Sequence, residues 1–304
     1  MPPVTSQKNK PASENHYLKS GTLVDQYIIE RPLASGGFSC VYLARQLDDQ
    51  LQVVIKEYLP KRLAYRSDSN HVLARSDETR KHYKLGRQFF LEEAKVLAKL
   101  RHPNIVEVLN FFTENSTVYI VMTYDYGKNL GYYLKDKKGK LSENFMFTVF
   151  PRLLDGLKTI HEHGFLHLDI KPENIIIRPG GNPLLLDFGA VHPYPQTSTQ
   201  PQIGKILTNG FSPIEQYPRK GEPGPWSDLY AIGATMRSCI EGVPPPPSPA
   251  RAKKDTMPPS AKIFKRKYPQ PLLEAIDWAL AVQPVDRPQT AAEFLESFPN
   301  QAAN

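Results

Sequence analysis

From Tyr27 to about Tyr126, apolar and polar positions alternate in a series of short segments: "YIIERPLA", "CVYLARQL", "QVVIKEYL", "IVEVLNFF" and "VYIVMTY". Period-two alternation with many β-branched residues predicts strands. One stretch, about residues 78–100, breaks that rhythm. There Phe90, Leu97 and Leu100, with Phe89 and Val96 beside them, recur at helical spacing until "RHPN" ends the run. After "YGKN" the texture turns helical. Ser142 is placed to cap a helix carrying Met146, Val149, Phe150, Leu153, Leu154, Leu157 and Ile160, and Pro151 is expected to kink it. Residues 272–282 and 290–298 also read as helices, the second opening on "TAAE", a capping-box sequence. The pattern predicts a β-rich unit at 25–125 and a larger helical unit at 126–299, linked near 123–128. A flexible polar tail is expected at 1–24 and a short one at 300–304.

Composition narrows this picture. With 304 residues, 40% of them hydrophobic, the chain can bury a sizeable core. Cys40 and Cys239 lie far apart and belong to no CxxC or His cluster, which argues against a zinc site and for a reducing, cytoplasmic location. No apolar run reaches the length of a membrane span, and "MPPVTSQKNKPASENHYLKS" lacks the apolar core of a signal peptide. The net charge of +7 invites a nucleic-acid reading, but the basic residues gather in "RAKKDTMPPSAKIFKRK" (251–267) without interleaved aromatics or zinc-finger spacing. That stretch is expected to be a solvated basic loop. "GVPPPPSP" (242–249) reads as a stiff connector.

Several residues stand where charge is costly. Lys56 interrupts the apolar strand "QVVIKEYL". Glu93 falls within the apolar stripe of the first helix, whereas Glu92 lies about 100° round from it. The two misplaced charges make a natural ion pair. "FLHLDIKPENIII" sets Asp169, Lys171 and Asn174 between apolar flanks, and Asp187 ends the apolar run of "LLLDFGAV". Asn174 and Asp187 offer hard oxygen ligands for Mg²⁺. Asp169 is then free to take a proton from an attacking hydroxyl, and Lys171 can neutralise a transferring phosphoryl group. The small residues of "PLASGGFSCVYLAR" join two strands, and such a turn can bring backbone N–H groups to phosphates.

"VVIK", "HLDIKPEN", "DFG" and the glycine turn occur in the order and approximate spacing of protein kinase signatures. From about residue 27 to 298 the chain resembles that family. "IKEYLP", "FLEEAKVLAKLRHPNIV", "GPWSDLYAIGATM" and "AIDWALAVQPVDRP" make it similar to soluble bacterial Ser/Thr kinases. The resemblance implies an α+β, two-lobed protein kinase fold, with a β-rich N-lobe holding one key helix and a mainly helical C-lobe. It implies transfer of the γ-phosphate of ATP to protein Ser or Thr hydroxyls, autophosphorylation included, with Mg²⁺ or Mn²⁺.

By that resemblance Lys56 holds the α- and β-phosphates and pairs with Glu93, Asp169 is the catalytic base, Lys171 assists the γ-phosphate, and Asn174 and Asp187 hold the metal. The nucleotide would meet Leu33, Ala34, Ser35, Gly36, Gly37, Phe38 and Ser39 of the glycine turn. It would also meet Val41, Val54 and Ile176, with Met122 as gatekeeper and the backbone of Thr123 and Tyr124 facing adenine. His167 precedes the catalytic loop, Phe188 and Gly189 complete "DFG", and Thr208 lies in the substrate-facing segment. Glu215 would pair with Arg287, and Asp228 would hold the catalytic loop's backbone. A regulatory signal would have to come through a partner, the tail or the insertion; a nucleic-acid partner and a membrane span are not expected.

The chain departs from the pattern in places. Ala34 and Ser39 replace the outer glycines of the turn, at a cost if φ > 0 is needed there. Val54 stands where alanine usually covers adenine. Leu168 replaces the arginine that meets an activation-loop phosphate, so phosphorylation of Thr197, Ser198 or Thr199 is not expected to be the on-switch. Residues 62–86 read as an extra loop before the helix. These departures leave open an ATP-binding scaffold without catalysis. Lys171 and Thr208 speak against a small-molecule phosphotransferase of the same fold. Cys40, Trp226, Trp278 and His167 are expected to be packing residues, and His161 and His163 surface or helix-end residues.

Overall fold

The computed structural model describes residues 16–186, 192–195 and 207–298. The chain divides into two units, one of residues 1–98 with 108–124, the other of 99–107 with 125–304.

The first unit is built on β1 (Leu23–Val24), β2 (Tyr27–Ser35), β3 (Ser39–Gln46), β4 (Gln52–Tyr58), a small hairpin of β5 (Ala64–Arg66) and β6 (Val72–Ala74), helix α1 (Asp77–Leu97), and strands β7 (Val108–Glu114) and β8 (Thr117–Thr123). Six strands form one sheet in the order β1-β2-β3-β4-β8-β7. Register sets the faces, because side chains alternate. Ala34 lies opposite Val41, Val41 opposite Lys56, and Val54 opposite Met122, so these share one face. Helix α1 packs there: the Tyr58 ring stacks on Tyr83 at 5.7 Å and meets Phe90 at a tilt, 5.4 Å between centres. Ser76 caps α1 reciprocally with Thr79, each side chain accepting from the other's backbone N–H.

The second unit contains β9 (Lys128–Asn129), α2 (Leu130–Lys137), α3 (Glu143–Glu162), β10 (Phe165–Leu166), β11 (Ile175–Arg178), β12 (Asn182–Leu185), β13 (His192–Pro193), α4 (Pro225–Glu241), α5 (Ser248–Lys253), α6 (Ser260–Ile263), α7 (Gln270–Ala279) and α8 (Ala291–Glu296). Helix α3 buries Met146, Val149, Phe150, Leu153, Leu154, Leu157 and Ile160, is capped by Ser142, and runs through Pro151. β12, β11 and β9 form a small sheet, and β10 pairs with β13; the two carry the loops of the candidate site. Among the described residues, no helix is long and apolar enough to cross a membrane.

Several sequence expectations need correction. The chain is packed well before residue 25: Leu18 is 1% exposed and β1 pairs with β2. Residues 99–107 go with the second unit because Asn104 and Val106 bond the backbone of Leu185. The extra loop contains a hairpin, β5–β6, and α1 starts at Asp77. The basic stretch 251–267 is anchored rather than simply solvated. Arg251 is buried, bonded to Asp255 and to the Tyr230 hydroxyl, and Asp277 accepts the backbone N–H groups of Ser260 and Ala261. Trp226 and Trp278 are only half-buried. At α8, Thr290 accepts from the Glu293 N–H, but Glu293 answers to Gln289, so the capping box is displaced by one residue.

Candidate active site

In the second unit the loop of residues 167–174 follows α3 through β10. Two hydrogen bonds from its backbone set its course: the His167 N–H donates to Asp228 Oδ2 at 2.9 Å and the Leu168 N–H to Oδ1 at 2.7 Å. Asp228 sits in the first turn of α4 and is wholly buried. His161 Nε2 lies 2.9 Å from Asp228 Oδ2, so this histidine is part of the anchor rather than a simple helix-end residue. Burial alone would raise the Asp228 pKa. The hydrogen bond and charge of His161, with His167, outweigh it and hold the carboxyl below the usual range. His167 is itself buried, its Nε2 3.0 Å from the Leu186 carbonyl. Leu168 adopts φ +59°, uncommon for a bulky side chain, and its carbonyl accepts from Gln216 Nε2 at 2.9 Å.

This turn delivers Asp169 into a tight polar cluster. Its carboxylate accepts from Lys171 Nζ at 2.8 and 2.7 Å, from Thr208 Oγ1 at 3.0 Å and from Asn174 Nδ2 at 3.0 Å. Asn174 Nδ2 also donates to the Asp169 carbonyl at 2.8 Å. Both amide hydrogens of Asn174 are thereby used within the loop, which leaves its oxygen, a hard donor suited to Mg²⁺. Thr208 is fixed in turn: its N–H donates to Ser212 Oγ at 2.9 Å and its carbonyl accepts from Phe211 and Ser212. Asp187, Phe188 and Gly189, with Thr197, Ser198 and Thr199, lie outside the described residues.

Glu215 and Arg287 meet as a buried bidentate pair at 2.7 and 3.2 Å. Ser227 Oγ adds a hydrogen bond to Glu215 Oε1 at 2.7 Å. Ile176 lies in β11, opposite Leu184.

In the first unit Lys56 is 6% exposed, and its ammonium lies 5.7 Å from the centre of the Phe90 ring. Glu93 is three residues on from Phe90, on the same side of α1. Glu92 points to solvent and bonds Lys95. The glycine turn joins β2 to β3, closed by the Gly36 N–H to the Ser39 carbonyl at 2.9 Å. Neither Ala34 nor Ser39 has a positive φ, and nor do Gly36 and Gly37. The condition under which Ala34 and Ser39 would carry a cost is therefore not met, and the substitutions impose no backbone strain. Leu33, Gly36, Gly37 and Phe38 are exposed, while Val41, Val54, Met122, Thr123 and Tyr124 are half-buried.

Sequence reasoning missed His161, Gln216 and a buried cluster around Glu57. Glu57, in the same apolar strand as Lys56, carried a signal that was there to be read.

A family model of the protein kinase domain matches residues 27–298. The serine/threonine-protein kinase PknA of Nostoc sp. is 32% identical over 290 residues, covering 91% of this chain and 47% of that protein. Serine/threonine-protein kinase D of Synechocystis sp. is 33% identical over 227 residues, covering 70% and 40%. The chain thus spans about half the length, or less, of these curated relatives. A solved structure described as "PpkA-294 apo form" superposes with a TM-score of 0.81 at 35% identity, covering 93% of this chain and 99% of that one.

Proposed function

The chain belongs to the protein kinase domain family, homologous to bacterial Ser/Thr kinases, and on that premise we propose that it transfers the γ-phosphate of Mg-ATP to Ser or Thr hydroxyls of proteins, itself among them. The observation that carries this reading is the joint hold of Lys171, Thr208 and Asn174 on the Asp169 carboxylate. A carboxylate so oriented can accept the proton of an attacking hydroxyl. Lys171, already beside it, can neutralise the oxygens of the group in transfer. Lys56 would bind the α- and β-phosphates and Glu93 would orient it. Asn174, with Asp187, would hold the metal, which when bound neutralises phosphate charge. Thr208 and Lys171 together favour Ser/Thr over Tyr acceptors. The cytoplasm is our proposed compartment, resting on Cys40 and Cys239, both buried free thiols.

The test is transfer of labelled γ-phosphate from Mg-ATP to the protein itself and to a generic basic protein, beside Asp169→Asn and Lys56→Met. Phosphoserine or phosphothreonine, lost in both variants, is the expected result. Phosphotyrosine would overturn the acceptor class. Tight ATP binding by folded protein with no transfer would turn the reading to a nucleotide-binding scaffold.

A further inference from the structure

Next to Lys56, strand β4 turns a glutamate to the opposite face of its sheet. Glu57 is wholly buried, an expensive place for a carboxylate. The sheet supplies two partners. Tyr119, directly opposite on β8, donates to Oε1 at 2.9 Å, and Tyr42, diagonal on β3, donates to Oε2 at 2.8 Å. The third partner is Arg66 of the β5–β6 hairpin, whose Nη2 pairs with Oε2. Burial, then the Glu57 charge, pushes both phenols far above their ordinary pKa, so they act as donors to the carboxylate.

Arg66 binds more than the carboxylate. Its Nη1 donates to the Asn70 carbonyl at 3.1 Å, closing the hairpin's own turn. Its Nη2 also reaches the Tyr42 hydroxyl at 3.2 Å and the His16 carbonyl at 3.4 Å. The chain leading into the domain is thus seated on the cluster. The Leu18 N–H donates to the Tyr42 hydroxyl at 3.2 Å, and Tyr17 meets the Tyr42 ring edge-on at 6.2 Å. The glycine turn is tied to the stretch leaving β4: the Phe38 carbonyl accepts from Leu59 at 2.9 Å and the Gly37 carbonyl from Lys61 at 3.0 Å.

We propose that Arg66 is a positioning residue for Lys56 and the glycine turn, and that the segment His16–Leu18 sets it. Glu57 and Lys56 are consecutive, with Cα atoms about 3.8 Å apart, so neither can move without the other. Arg66 clamps Glu57 from one side of the sheet and thereby holds Lys56 on the other. The segment leaving β4 carries the same constraint to the backbone of the glycine turn. The hairpin that supplies Arg66 is then a brace for nucleotide binding. The inference rests on the nucleotide-binding role proposed for Lys56.

The experiment is titration of the full chain with a fluorescent ATP analogue, well below the unfolding temperature, with Tm recorded for each variant. Arg66→Met should weaken binding roughly tenfold, the scale expected when a contact group is misplaced by a fraction of an ångström. Arg66→Lys should recover part of the loss. Glu57→Gln with Arg66→Met removes the buried charge together with its partner. It should regain Tm while affinity stays low, a split that a purely stabilising role does not give, and it carries the test if Arg66→Met fails to fold. Leu18→Ala should shift affinity in the same direction, by less. Wild-type affinity in the double variant would overturn the positioning role, and wild-type affinity in Leu18→Ala would remove the leading segment from it. A wild-type chain that binds no nucleotide would sink the kinase reading itself, and the inference with it.

Discussion

Leu168 and Tyr194 pack together in one apolar cluster with Leu166, at the point where β10 pairs with β13. The Tyr194 N–H donates to the Gly164 carbonyl at 2.8 Å and its ring meets Trp226 edge-on at 6.1 Å. A side chain held this way needs no phosphate to dock. The triple variant Thr197→Ala, Ser198→Ala, Thr199→Ala should therefore keep most of the wild-type transfer rate, measured at saturating ATP. Leu168→Ala should lower stability by about 2–5 kcal/mol, the usual range for truncating a buried leucine. A collapse in rate of the triple variant would mean that loop phosphorylation is needed after all.

Gly86, in the middle of α1, lies against Tyr58. A Cβ there would stand 2.0 Å from the Tyr58 hydroxyl oxygen and 2.9 Å from its ring. Tyr58 lies between Tyr83, on which it stacks, and the tilted ring of Phe90, and cannot swing aside without disturbing both. Gly→Ala in a helix normally gains about 1 kcal/mol. Here the expected sign is reversed, because α1 must retreat from β4. Urea denaturation of Gly86→Ala should give a lower midpoint than wild type. A raised midpoint would show that Tyr58 yields more easily than its stacking implies.

Strands β2, β3, β4 and β8, helix α1 and the Ser142 cap were all legible, because each leaves a local mark: alternation, a stripe, or a capping residue at the right offset. Lys56 and Asp169 stood out as charges in apolar surroundings. The Glu57–Arg66 pair did not, although Glu57 sits in the same apolar strand. Its partner comes from a hairpin whose fold no periodicity announces, and the leading segment is held mainly through backbone groups. His161 was misread for a related reason. Its role depends on Asp228, which is distant along the chain, and nothing in the local sequence of α3 points there. The contrast is between interactions within an element and those between elements.

Asp228 gives the site a pH signature. Its folded pKa is held below the usual carboxylate value, with His161 and His167 overcoming burial. A depressed carboxyl pKa adds stability that is fully present above the unfolded value, about 3.9, and is lost as pH falls through the lower folded value. Asp228→Asn should lose about 1.5–3 kcal/mol at pH 7, the range for a hydrogen bond to a charged group. Its stability should also fall less steeply than that of wild type as pH drops below about 4. Chemical denaturation from pH 7 to pH 3 measures both. An unchanged acid limb would assign the anchoring to geometry rather than charge.

Arg287 is 2% exposed, and every arm of its guanidinium is engaged. Besides Glu215, Nε donates to the Ala281 carbonyl at 2.8 Å, Nη2 to Val282 at 2.8 Å, and the group lies 4.8 Å over the Tyr230 ring. Removing one partner of a buried pair leaves the other charge uncompensated, at about 3–5 kcal/mol. Lysine carries the charge but not the planar fork, so Arg287→Lys should still lose stability, though less than Arg287→Ala. Activity per folded molecule should fall as well. Gln216, next to Glu215, is the residue that bonds the Leu168 carbonyl, so loosening Glu215 disturbs the turn that presents Asp169. The Glu215→Gln, Arg287→Met double variant separates the two effects. With no stranded charge it should recover part of the urea midpoint, but its transfer rate should stay low. Recovery of both together would show that the pair serves stability alone.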